Sequence, residues 1–120
     1  MATDFPAALD QLRSTYTSIR AVMNPEALAA SVAELSEKAS APDLWDDPDA
    51  AQAVTSQLSH AQTDLEKLNR MGERIDDVET LVEMATEEDD AETLAEAERE
   101  LVTLRRDLGE VEVRTLLSGE

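Results

Sequence analysis

The 120-residue chain contains no cysteine, a single tryptophan, a single tyrosine, a single phenylalanine, three glycines and four prolines. Without cysteine there is no disulfide framework, no thiolate nucleophile and no Cys-based zinc site, and such usage suits a cytosolic protein. Cations are also scarce, with 10 Lys+Arg against 28 Asp+Glu and a formal net charge of -18. Phosphate contact needs clustered positive charge, so a general nucleic-acid-binding surface is excluded and an anionic membrane surface is disfavoured. No apolar run approaches the ~18 residues of a membrane span. Residues Met1 to Pro25 have neither the basic start nor the unbroken apolar stretch of a signal peptide. The expectation is a cytoplasmic chain.

Strong core formers are few as well. Leu, Ile, Val and Phe together make 26 residues, about 22%, just above the ~20% below which a highly charged chain stays disordered. What is present in quantity is Ala, Glu, Lys, Leu and Arg, 59 residues or about 49%, the composition of long helices and coiled coils. The chain is helical or unfolded.

Spacing and caps predict four helices. The first runs from about Pro6 to Met23, with Leu9, Leu12, Tyr16, Ile19 and Met23 stepping by threes and fours along one face. Asn24-Pro25 is an N-cap followed by a favoured first helical residue, and the second helix carries Leu28, Val32, Leu35 and Ala39, with Glu34 and Lys38 as an i,i+4 pair. Asp47 caps a third helix from Pro48 to about Ala85. Its heptad row Val54, Leu58, Ala61, Leu65, Leu68, Ile75 and Val82 would need Gly72 and Glu79, so Met71, Val78 and Ala85 supply the apolar surface from the adjacent row. Gly72 is expected to bend or thin this helix. The fourth, from about Asp90 to Leu117, keeps a clean repeat through Leu94, Ala97, Leu101, Leu104, Leu108 and Val111, and Asp89 with Glu92 suggests a capping box. The short connection Thr86 to Asp90 folds the two long helices back antiparallel. A turn centred near Glu88 pairs Ile75 with Leu101, Leu68 with Leu108 and Val82 with Leu94. The expected fold class is all-α, an elongated helical bundle built on a long antiparallel coiled-coil hairpin with two shorter N-terminal helices, forming one domain over residues 1–120.

Candidate chemistry is thin. His60 is the only histidine; a bundle metal site needs Glu-x-x-His pairs, but Gln57 stands where the Glu would be. The acidic clusters, Asp43, Asp46, Asp47 and Asp49 and then Glu87 to Asp90, lack the glycine and ligand spacing of a calcium loop and read as caps and solvated surface. No catalytic residue, cofactor or metal is expected. Lys67, Arg70 and Arg74 share one side of the third helix, and the hairpin register places Arg105 and Arg106 opposite. These five of the ten cations form a candidate partner-docking patch, with ordinary helix-surface pairing, such as Glu66 with Arg70, as the alternative. The segment Pro42 to Pro48 carries the only tryptophan, and Leu44 and Trp45 are expected to seal one end of the bundle.

At that segment the sequence resembles a known family. Pro-Asp-Leu-Trp-Asp-Asp-Pro (Pro42 to Pro48) with Ala50-Ala51-Gln52, Ile75-Asp76-Asp77-Val78, Glu87-Glu88-Asp89-Asp90-Ala91-Glu92-Thr93, and the terminal Leu116-Leu117-Ser118-Gly119-Glu120 are similar to the N-terminal domain of the bacterial peptide chain release factor 2 family. The resemblance implies a factor that reads the UAA and UGA stop codons and releases the finished polypeptide. It implies codon reading through a Ser-Pro-Phe motif and ester hydrolysis through a Gly-Gly-Gln motif, neither of which occurs in these residues. No functional residue carries over, and the chain is expected to be a non-catalytic N-terminal fragment. Also implied are partners: the ribosome, at the stalk base of the large subunit, and the class II release factor GTPase. The competing expectation is an acidic helical adaptor or chaperone-like module unrelated to translation.

Overall fold

A computed structural model describes residues 4–117. Four α-helices, α1 (Phe5–Met23), α2 (Pro25–Ala39), α3 (Pro48–Glu88) and α4 (Ala91–Glu112), are joined by a 3-10 turn at Leu44–Asp46 and followed by a π-helical turn at Val113–Leu117. No strand occurs among the described residues. The fold is all-α, and α3 alone runs for 41 residues. The terminal Ser118-Gly119-Glu120 of the resemblance lies outside the described residues.

The helix starts follow the caps read from the sequence, with one displacement. Asn24 accepts from the Ala27 amide at 3.1 Å and sits at φ 54, and Asp47 accepts from the Ala50 amide at 3.3 Å. Asp4 caps α1 through the Ala7 amide at 3.1 Å. For α4 the cap is Asp90 rather than Asp89: its carboxylate takes the Glu92 amide at 3.1 Å, the Thr93 amide at 3.3 Å and the Thr93 hydroxyl at 2.8 Å. The Thr93 hydroxyl and amide, with the Glu92 amide, hold the Asp90 carboxyl below its ordinary value.

The chain divides into two compact units, residues 1–22 with 70–120 and residues 23–69. In the first, α4 returns along α3, and the turn decides the register. α3 extends to Glu88, three residues past the expected end. Asp89 takes the left-handed conformation at φ 53, and the Asp90 amide reaches the Ala85 carbonyl at 2.9 Å. That is the closing bond of a Schellman motif with Asp in the place usually taken by Gly. Glu88 and Ala91 flank a two-residue connection, so the chain reverses at Asp89-Asp90 rather than near Glu88. Met71, Ile75 and Val78 of α3 and Leu101, Leu104 and Leu108 of α4 are all buried along the hairpin. The expected partner of Val82, Leu94, is exposed instead, and Ala97 takes the buried place. Met71, Val78 and Ala85 carry the α3 seam as the apolar spacing required. Leu9, Leu12 and Ile19 of α1 complete this core.

Gly72 has a packing explanation. A Cβ there would stand 2.6 Å from the Tyr16 hydroxyl oxygen and 3.0 Å from the ring carbon that bears it. The missing side chain lets the Tyr16 ring lie against the α3 backbone, while the Arg20 guanidinium stands 5.7 Å from the ring centroid on the ring's face.

The second unit is thinner. α2 has no buried residue; Leu28, Val32, Leu35 and Ala39 are half-buried, as are Val54, Leu58, Ala61 and Leu65 of α3. The fully buried residues of this unit are Ala51 and Leu68. The Glu34–Lys38 pair forms at 3.6 Å between exposed side chains.

Replacing a helical Gly by Ala ordinarily stabilises by about 1 kcal/mol. Gly72→Ala should lose that gain to the displaced Tyr16 ring and recover it in a Tyr16→Ala background, giving a non-additive cycle in urea unfolding. Additivity would show that the ring does not fill the Gly72 gap.

Candidate functional site

Of the five cations singled out in the sequence, Arg70, Arg74, Arg105 and Arg106 belong to the first unit and Lys67 to the second. Lys67 is exposed and has no ion pair among the described residues. The four arginines of the first unit divide by role.

Arg74 is turned inward. Its side chain is 18% exposed, and its two terminal nitrogens fork between Asp107 at 2.9 Å and Glu100 at 3.4 Å, both on α4. Glu100 and Asp107 stand two helical turns apart, so one planar guanidinium bridges them as a brace across the hairpin. The hydrogen bond from Arg74 is the main cause that holds the Asp107 carboxyl below the ordinary range, against the opposing effect of desolvation. Arg106 touches the other oxygen of the same carboxylate at 3.4 Å, with its own side chain 68% exposed. Arg70 pairs with Glu73 at 3.5 Å, not with Glu66, and is 66% exposed. Arg105 is exposed and donates to the Gln11 side-chain oxygen of α1 at 3.5 Å. It stands at the rim of an open cleft of about 170 Å³ between α1 and α4, floored by Leu12 and Leu108. Arg70, Arg105 and Arg106 are therefore the exposed arginines among the candidates in this unit, whereas Arg74 bridges α3 and α4.

A second brace was not anticipated from the sequence. Arg13 of α1 donates to Asp76 and Glu79 of α3, at 3.1 Å each. The available signal was the Asp76/Glu79 pair, three residues apart on one face of α3, which is the spacing a single guanidinium can span.

The remaining candidates resolve into structure and surface. His60 is exposed, and among the described residues no group of three or more His, Cys, Asp or Glu side chains could hold a metal ion. Asp47 and Asp90 are caps, as above, whereas Asp43 precedes the 3-10 turn without a side-chain capping bond. The expectation for Trp45 is overturned: it is 63% exposed and seals nothing. In the 3-10 turn successive side chains point apart, so half-buried Leu44 is turned toward the helices while Trp45 is turned to solvent. No helix among the described residues is long and apolar enough to cross a membrane.

Comparison with known proteins gives one family. Residues 28–120 match the PCRF domain. Over all 120 residues the chain is 65% identical to a protein of Beutenbergia cavernae named peptide chain release factor 2, of which it covers 32%. It is 53% identical over 120 residues to the protein of that name from Kineococcus radiotolerans, covering 33%, and 48% identical over 120 residues to that from Corynebacterium diphtheriae, covering 32%. The chain spans about a third of the length of these relatives.

The Arg74 brace has a measurable signature. Arg74→Met should cost about 1 kcal/mol, because Glu100 and Asp107 can rehydrate when the fork is removed, and a double-mutant cycle with Asp107→Asn should show coupling of that order. An aspartate whose folded pKa is depressed stabilises above its unfolded value, about 3.9. That contribution disappears as pH falls through the folded value below it. Acid unfolding of Asp107→Asn should accordingly be shallower than that of the unaltered chain below about pH 4. Identical acid profiles would show that Asp107 contributes nothing to the brace.

Proposed function

The chain belongs to the PCRF domain family, and from that membership we propose that it is the N-terminal, ribosome-docking domain of a class I peptide chain release factor that acts at UAA and UGA stop codons in the cytoplasm. The observation that carries the reading is the family match over residues 28–120, joined to relatives named release factor 2 that align with the whole chain. Neither Gly-Gly-Gln nor Ser-Pro-Phe occurs in the 120 residues, so codon reading and ester hydrolysis are assigned to other parts of the factor. This domain's part is placement on the ribosome, at the stalk base of the large subunit, and contact with the class II release factor GTPase.

The chemistry of the first unit supports such a role. Its carboxylates repel RNA phosphate over most of the surface, and the guanidinium groups of Arg70, Arg105 and Arg106 offer a limited area where an anionic partner can approach. A small positive area in a negative field restricts the orientations of approach more than it strengthens binding. Lys67, in the other unit, is a further exposed cation of the same chain.

Sedimentation with ribosomes tests the reading. The chain should co-sediment at low salt, and Arg70→Gln with Arg105→Gln and Arg106→Gln should lower its affinity by roughly tenfold and flatten the salt dependence. Arg74 is left intact because its loss would loosen the hairpin and confuse the two effects. Failure to co-sediment would refute docking by this domain, and equal binding of the triple variant would remove the patch.

A further inference from the structure

We propose that Trp45 and the groove beside it form a second docking site, one that accepts a basic amphipathic segment of a partner protein. The argument is independent of the ribosomal reading.

Trp45 is one of three aromatic residues in the chain and is 63% exposed. Leaving so large an apolar side chain in water forfeits the burial energy that a thin unit most needs, and tryptophan is the residue type most enriched among the anchors of protein interfaces. Its position is fixed by the backbone. The Leu44 amide bonds to the Ala41 carbonyl at 3.2 Å, the Asp46 amide to Asp43 at 3.1 Å and the Asp47 amide to Leu44 at 3.2 Å. Asp47 then starts α3 through the Ala50 amide. An indole held on a hydrogen-bonded turn loses little conformational freedom when a partner covers it.

Beside the turn that carries it, between the end of α2 and the start of α3, opens a groove of about 310 Å³ lined by Ala41, Leu44, Ala50 and Val54, with Asp43 and Asp47 also in its wall. Each of the four apolar residues is half-buried, so the groove is a gap in the packing of this unit, open to a side chain from outside. The charge on the turn beside it is acidic. Asp43, Asp46, Asp47 and Asp49 have no ion-pair partner among the described residues, and Lys38, the cation in the groove wall, is engaged with Glu34.

These features define the occupant. An apolar side chain fills the groove, and Arg or Lys on the same segment meets the four carboxylates and lies over the indole face in a cation–π contact. Nucleic acid is repelled by the carboxylates. A second copy of this chain would bring a net charge of -18 against the same acidic ring. A basic protein segment with at least one large aliphatic residue is the chemistry that satisfies both groove and rim.

The test is unbiased selection of twelve-residue peptides from a random display library on the immobilised 120-residue chain, with counter-selection on Trp45→Ala. Since Trp45 is exposed, the variant should keep the helical circular dichroism of the original. Selected peptides should be enriched in Arg or Lys together with Leu, Ile or Phe. A fluorescein-labelled peptide of the selected sequence should bind at least tenfold more weakly to Trp45→Ala, and about threefold or less more weakly to Trp45→Phe. On the unaltered chain it should shift the Trp45 emission to the blue. Peptides that bind Trp45→Ala equally well, peptides without cationic enrichment, or failure to enrich any peptide would each overturn the proposal. So would concentration-dependent dimerisation abolished by Trp45→Ala, which would give the groove to a second copy.

Discussion

Everything in the first unit depends on two residues, Asp89 and Asp90. A hairpin of long helices has no internal landmark beyond its repeat, so sliding one helix by a half-heptad step exchanges one set of acceptable apolar contacts for another. The turn removes that freedom. Asp89 ends α3 in the left-handed conformation and Asp90 closes back on the Ala85 carbonyl while capping α4. Once the chain reverses there, the buried residues Ile75 and Val78 of α3 and Leu101 and Leu104 of α4 line the hairpin. Arg74 then bridges the two helices, reaching both Glu100 and Asp107 of α4.

The second constraint is charge. With 28 carboxylates and 10 cations, self-repulsion opposes compaction, and an arginine that bridges two helices has more leverage than it would in a neutral chain. Arg13 and Arg74 are used this way, each reaching two carboxylates of a neighbouring helix. Arg74 does so through both terminal nitrogens, a fork that the single ammonium of a lysine could not reproduce, whereas Arg13 reaches its two carboxylates through one terminal nitrogen. The cations not used as braces sit on the exposed face of the helices, where their pairs are long and weak.

Most of this was legible from the residues. Apolar spacing gave the four helices, and Asn24, Asp47 and the three prolines Pro6, Pro25 and Pro48 gave their starts, because caps and periodicity are local and act within a turn of the residue that causes them. The apolar seam through Met71, Val78 and Ala85 was legible for the same reason. The turn was not, because Asp89 and Asp90 are both good caps and nothing in the local sequence says which of them will take the left-handed conformation. That one-residue ambiguity moved the turn, and α3 runs three residues past its expected end. Trp45 was misjudged for a different reason: hydrophobicity argued for burial, and the direction in which a three-residue turn points its side chains is set by tertiary geometry. The five-cation patch was read by face and register alone, which cannot distinguish a guanidinium that binds its own helices from one that remains available.

That distinction bears on what a strongly acidic surface can admit. If all the cations were braces, the domain would be electrostatically closed and could only be repelled. If none were, the hairpin would have no cross-helix bridge against its own charge. The observed division, with Arg13 and Arg74 spent on cohesion and Arg70, Arg105 and Arg106 exposed, lets stability and partner choice be altered separately. It also makes the negative majority useful. A surface that disfavours phosphate nearly everywhere limits encounters to the few places where it does not, so discrimination comes from what the carboxylates forbid as much as from what the arginines attract. The exposed carboxylates flanking Trp45 in the chain extend the same logic, since what they disfavour is another anion.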